Sequence, residues 1–243
     1  MRHIAAFALL LIPTPLTFGQ DMNTLTAKEK TEGWKLLFDG KGLSGWHPEM
    51  PAAGRGGGKA KAAAAAPAPP APGDLPQQGS NPPRCVTAGG RGAAVPAGAS
   101  QWEVTNGLLT PCGENAGYLN SDQGYKNFVL SVEFRCGELV NSGVFVRSPQ
   151  ENGGYEVQIW KKQPAGYNTG GIVGTAKTAR EFNFKPDEWN RYEITANGDR
   201  LIVVLNGQTT VDVHDAKFPD GNFRLQYQKF PIAFRNIKVR PLP

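Results

Sequence analysis

Apolar and polar residues alternate along most of the chain from residue 101 onward, the period-two signature of half-buried β-strands. In YKNFVLSVEFRC, Phe128, Leu130, Val132 and Phe134 fall on one face, and Ser131, Glu133 and Arg135 on the other. QWEVTNGLLTPC reads as a hairpin about Asn106-Gly107, and EWNRYEITANGDRLIVVLNGQTTVDV as three strands with turns at Asn197-Gly198 and Asn206-Gly207. GYLNS, GNFRLQYQ and PIAFRNIKVRPLP supply further short strands. Nearer the N-terminus WKLLF is a strand, Asp39-Gly40 a turn, and Leu43 and Trp46 return to the core, behind a polar arm over residues 20–33. The count is about a dozen strands and no helix. It predicts an all-β fold, a two-sheet antiparallel jelly-roll sandwich.

Asn141 to Trp160 reads NSGVFVRSPQENGGYEVQIW, two β-runs joined by a turn rich in Pro, Asn and Gly. Tyr155, Val157 and Ile159 share one face of the second run; Glu156, Gln158 and Trp160 share the other. The first run divides Val144 and Val146 from Phe145 and Arg147. One face is core-like. The other gathers a carboxylate, an amide, a guanidinium and two aromatics, a mixture that suits flat sugar rings and their hydroxyls. A merely solvated strand face, with Glu156 and Arg147 as a cross-strand ion pair, competes with that reading.

Composition changes the picture in three places. A basic start (Arg2, His3), an apolar run from Ile4 to Ile12 and small residues at Thr17 and Gly19 predict a signal peptide over residues 1–19, and hence a periplasmic or secreted protein. No later apolar run is long enough to span a membrane, so no membrane insertion is expected after cleavage. Residues 49–100 are rich in Ala, Gly and Pro and almost free of large apolar side chains, which predicts a low-complexity insertion. Residues 20–48 and 101–243 are left to form a single sandwich domain. The loop from Lys161 to Pro186 is long and Gly-rich, a length often associated with function.

The formal charge of +5 is concentrated in the insertion, where Arg55, Lys59, Lys61, Arg84 and Arg91 outnumber Glu49 and Asp74. The globular part is near neutral and has no basic stripe, which argues against nucleic acid as a partner. The three cysteines, Cys85, Cys112 and Cys136, allow one disulfide and an odd thiol, and their spacing does not select the pair. Nothing in the sequence sets an oligomeric state.

LFDGKGLSGW (Leu37 to Trp46), WEVTNGLL (Trp102 to Leu109), NSGVFVR (Asn141 to Arg147), GYEVQIW (Gly154 to Trp160), EWNRYEI (Glu188 to Ile194), VVLNG (Val203 to Gly207) and IAFRNIKV (Ile232 to Val239) occur in that order. Together they resemble the 3-keto-disaccharide hydrolase family. The resemblance implies a concanavalin A-like sandwich of the lectin/glucanase type, export, and cleavage of glycosides already oxidised to a ketone at sugar carbon 3. Members often carry an acidic residue after the GYEVQIW stretch, where this chain has Lys161-Lys162, and a histidine in LQDHG or LQxHG, where it reads LQYQKF (Leu225 to Phe230).

Most glycosidases place two carboxylates across the scissile bond. Here Gln158 and Trp160 stand at the positions alternating with Glu156. A 3-keto sugar needs only one base to remove the acidified proton on carbon 2, together with a group that holds the enolate oxygen. Glu156 is the candidate base and Arg147 the candidate enolate holder. Asn141, Gln158 and Gln226 are candidates to orient hydroxyls, and Phe145, Trp160 and Tyr227 to meet the ring. A divalent metal at Glu156 is compatible with this chemistry, but the sequence supplies no ligand set. The alternative is a lectin-like, non-catalytic carbohydrate-binding module.

Overall fold

The computed structural model describes residues 21–49, 101–113, 116–149, 153–178 and 184–243. The predicted signal peptide, Cys85 and the insertion beyond Glu49 lie outside the described residues. In chain order the elements are α1 (Ala27–Thr31), β1 (Lys35–Leu36), β2 (Trp46–Pro48), β3 (Gln101–Thr105), β4 (Leu108–Cys112), β5 (Gly117–Tyr125), β6 (Phe128–Cys136), β7 (Asn141–Ser148), β8 (Tyr155–Ile159), β9 (Trp189–Asn197), β10 (Arg200–Leu205), β11 (Gln208–His214), β12 (Gly221–Lys229) and β13 (Ile232–Pro241).

The strands form two antiparallel sheets. The larger runs β11-β10-β9-β6-β13-β4-β3, with β1 also on β13; the smaller runs β2-β5-β12-β7-β8. Two of the three expected Asn-Gly turns form: Asn106, Gly107, Asn206 and Gly207 all have positive φ, which suits a two-residue hairpin between twisted strands, whereas Asn197 ends β9 and pairs with Arg200, so that the third turn is made by Gly198 and Asp199. Phe128, Leu130, Val132 and Phe134 are fully buried, and Leu119, Val144, Val157 and Leu225 meet them from the smaller sheet in one core.

The lead-in is more ordered than its polarity suggests. Thr26 and Glu29 form a capping box that starts α1, one turn where no helix was expected. Asn23 exchanges hydrogen bonds with Asn236, and Lys238 Nζ reaches Glu29 at 2.8 Å, so the arm is tied to β13. Arg235 is structural: it pairs with Glu133 at 2.7 Å and lies 3.9 Å above the Trp189 ring. Cys136 is a buried free thiol whose pKa burial pushes up. Cys112 is disulfide-bonded, and its partner lies outside the described residues.

Candidate active site

The outward face of the smaller sheet carries two transverse rows of side chains. Backbone pairing aligns His47, Asn120, Arg224, Phe145 and Glu156 across β2, β5, β12, β7 and β8. The next row holds Tyr118, Gln226, Gly143 and Gln158. Partners directly opposite each other share a face, so all these residues project away from the core.

Glu156 sits where the rows meet a gap. Gly143 has no side chain, and a Cβ built on it would lie 2.9 Å from Glu156 Oε1, so the carboxylate leans over that glycine. Burial pushes its pKa up to about 7, and no cation among the described residues offsets the effect. Its backbone is fixed on both sides: Phe145 pairs with it across β7, and Val173 N–H donates to its carbonyl at 3.0 Å. That second contact belongs to the Gly-rich loop, which also exchanges bonds between Gln158 and residues Gly170 and Gly171. The loop thereby covers the exposed edge of β8.

Around the gap stand rings and amides. Phe145 is buried and meets Tyr118 edge-on, with centroids 5.3 Å apart. The Arg224 guanidinium lies 4.0 Å above the Tyr118 ring, donates to Glu49 Oε1 at 2.8 Å, and is only 4% exposed. Gln226 donates to the Tyr118 hydroxyl at 3.4 Å, while its buried Oε1 has no hydrogen-bond partner among the described residues. Gln158 is buried and accepts from Ile159 N–H through Oε1. Asn141 donates to Gln228 at 3.0 Å towards one end of the face. Trp160 follows the last residue of β8 and is partly buried, its carbonyl accepting from Thr169.

Two expected site residues lie elsewhere. Arg147 does not stand beside Glu156. Phe145 pairs with Arg224 and Ser148 with Asn222, so three steps on β7 match two on β12, the register of a bulge. Arg147, at φ +50°, is turned out of the row and fully buried, with Ser148 taking the outward place near Arg224. Its guanidinium donates to the carbonyls of Lys126 and Gly198 at 2.8 Å each. The cross-strand ion pair with Glu156 is likewise not formed. Tyr227 is part of the core, because it alternates with Gln226 along β12 and cannot share its face.

Tyr118, Arg224, Glu49 and Gly143 escaped the sequence reading. Alternation in GYLNS and GNFRLQYQ places Tyr118 and Arg224 outward, but only the pairing of β5 with β12 brings them together. Glu49 was assigned to the insertion by composition, yet its N–H bonds Tyr118 at 2.7 Å. His47 lies 2.6 Å from Asp122 at the margin of the face, and His214 forms an exposed pair with Asp199. Lys161, after Trp160, is held by Glu138. Among the described residues no group of three or more His, Cys, Asp or Glu is placed to hold a metal ion. Nor is any helix there long and apolar enough to cross a membrane.

A jelly roll with rings, amides and one carboxylate of raised pKa on an outward strand face is a carbohydrate-active sandwich of the concanavalin A-like kind. Residues 33–240 match the model of the 3-keto-alpha-glucoside-1,2-lyase-like domain, and the chain belongs to that family. The family makes it an enzyme of the hydrolase or lyase type acting on carbohydrate. Solved structures share the fold. A candidate glycosyl hydrolase from Parabacteroides distasonis is 19% identical, with a TM-score of 0.63 over 92% of this chain and 100% of that one. Another from the same organism is 21% identical, with a TM-score of 0.55 over 86% of this chain and 84% of that one. No curated protein matches the sequence.

Proposed function

We propose that the outward face of the smaller sheet binds a 3-keto-glycoside and that Glu156 is the base that starts its cleavage. The observation carrying this reading is the position of the Glu156 carboxylate, leaning over Gly143 with its pKa raised by burial to about 7. A base poised near neutrality suits proton abstraction. Gln158, not a second carboxylate, stands at the alternate position on β8, and this favours elimination over the two-carboxylate route.

In the elimination, Glu156 takes the proton from carbon 2, and the C–H electron pair becomes a C2–C3 double bond as the ketone oxygen gains charge. The carbonyl then re-forms, the electrons shift to make a C1–C2 double bond, and the bond from carbon 1 to the leaving oxygen breaks. That oxygen receives the proton held by Glu156. Addition of water across C1–C2 completes net hydrolysis. Phe145 offers an apolar surface to the ring, and Gln158, Gln226 and Asn141 offer amides to its hydroxyls.

The N-terminal apolar run supports export, which places the reaction in the periplasm or outside the cell. The test is incubation with a 3-keto-glucoside and with its unoxidised parent. Release of the aglycone from the first alone is expected. Binding of both without release would instead identify a lectin-like module.

A further inference from the structure

Elimination from a 3-keto sugar needs a donor at the ketone oxygen, and Arg147 is not on the face to supply it. Arg224 is on the face but committed, with one nitrogen on Glu49 at 2.8 Å and another 3.3 Å from Ser148 Oγ. Asn141 donates to Gln228, and Gln226 to Tyr118. Gln158 is placed differently. Its side chain is only 3% exposed, and its Oε1 accepts from Ile159 N–H at 3.0 Å. A backbone N–H can bond only the oxygen of an amide, so this contact fixes which end of the side chain is which. The NH2 group is left as a donor with no partner among the described residues, and unlike Gln226 Oε1 it is not sealed from solvent.

Backbone pairing places that amide. The Gln158 N–H and carbonyl bond Gly171 and Gly170, on the loop side of β8. Backbone bonding groups alternate sides along a strand, so Ile159 N–H points the other way, towards β7, and holds the amide there. On β7 the residue opposite Gln158 is Gly143, over which the Glu156 carboxylate lies. Cβ positions across a pair are about 5 Å apart and Glu156 Oε1 is 2.9 Å from that of Gly143, which puts the carboxylate within about 8 Å of Gln158 Cβ. That span fits two neighbouring sugar carbons, with a hydrogen-bond reach of about 3 Å on either side.

We propose that Gln158 does more than orient a hydroxyl: its NH2 group donates to the C3 oxygen of the sugar while Glu156 takes the C2 proton, which makes it a second catalytic group. This deepens the reading of the site as a 3-keto-glycoside site and rests on it. No proton leaves the amide: the C–H electron pair moves onto the ketone oxygen, the N–H of Gln158 stabilises that charge, and the charge returns when the leaving group departs. A donor already oriented by the backbone acts on the transition state more than on the bound ground state.

The discriminating substrate is a 3-keto sugar with hydrogen in place of the leaving group at carbon 1. In deuterated water it can exchange its C2 proton through the enolate but cannot eliminate. Wild-type protein, Gln158→Met and Gln158→Glu are compared on this compound by NMR and on a 3-keto-4-nitrophenyl glucoside by nitrophenol release, each at its high-pH plateau. Both variants lack the NH2 group, and Gln158→Glu keeps an oxygen for Ile159 N–H, so the backbone anchor survives in it. We expect each to slow exchange and release together by about a hundredfold or more, the usual cost of losing one oxyanion donor. The Kd of the exchange compound should stay within a few-fold of wild type. Exchange at the wild-type rate in either variant would overturn the assignment. So would weaker binding with an unchanged rate at saturation, which would make the amide an anchor for a hydroxyl and nothing more. A wild-type protein that neither exchanges nor releases would overturn the underlying function as well.

Discussion

The Glu156 carboxylate fills the space that a side chain at Gly143 would occupy, with Oε1 2.9 Å and Cγ 3.0 Å from the position of a Cβ there. The relationship crosses from β8 to β7, and it does not depend on backbone freedom, since Gly143 is not among the positive-φ residues. The glycine serves as a seat. It lets a long acidic side chain lie flat against the sheet, where it is partly shielded from water and its charge is costly.

Gly143→Ala should therefore act on the carboxylate before it acts on the fold. The new methyl meets the flexible end of Glu156, which can swing away. We expect a loss of about tenfold to a hundredfold in kcat, the scale that follows when a reacting group is misplaced by about 1 Å. The melting temperature should move by only a few degrees. Retention of full activity would show that the carboxylate works from another position.

Catalysis by Glu156 requires its ionised form. With a pKa of about 7, kcat/KM should rise with pH through that value and then level off. Glu156→Gln should lower turnover by about a hundredfold or more across the range and abolish the inflection. An unchanged inflection in the Gln variant would assign the titration to another group.

Strand parity was legible in the sequence wherever a single strand was enough. It put Tyr155, Val157 and Ile159 in the core and Glu156 and Gln158 outside it, as found. It failed at Arg147 because a bulge adds a residue that periodicity does not count. It could not choose between the neighbours Gln226 and Tyr227 until β12 had a partner. Tyr118 and Arg224 are distant in sequence, and their contact exists only through the β5–β12 pairing. Glu49 was hidden by the composition of the segment that follows it. What periodicity supplies is the face; what the topology supplies is the neighbour.

Arg147 should behave as a structural residue. Its guanidinium donates to Lys126 and Gly198 carbonyls, linking β7 to the β5–β6 and β9–β10 turns. Removing it would leave those buried acceptors unpaired beside a cavity. Arg147→Ala should cost about 3 kcal/mol or more of unfolding free energy. The fraction that still folds should retain specific activity within a few-fold of wild type. A folded, fully stable Arg147→Ala protein without activity would return the residue to the catalytic machinery.

The raised pKa of Glu156 also has a cost to stability with a definite sign. Its carboxyl titrates near an ordinary 4.5 in the unfolded chain and at about 7 in the folded one. Below about 4.5 it is neutral in both states, and burial costs nothing extra. As pH rises from there, the unfolded chain releases the proton while the folded protein keeps it, so stability falls. The loss is complete just above 7, and its upper bound is about 3 kcal/mol, at roughly 1.4 kcal/mol per unit of pKa difference. Because the side chain is partly exposed, about 1–3 kcal/mol is the expected range. Glu156→Gln does not titrate and escapes this cost. Urea unfolding of both proteins at pH 4 and pH 8 should show the Gln variant gaining relative stability at the higher pH. An ion-paired glutamate would give the opposite sign, with the variant losing ground as pH rises, and that result would mean that a cation, not burial, governs this carboxylate.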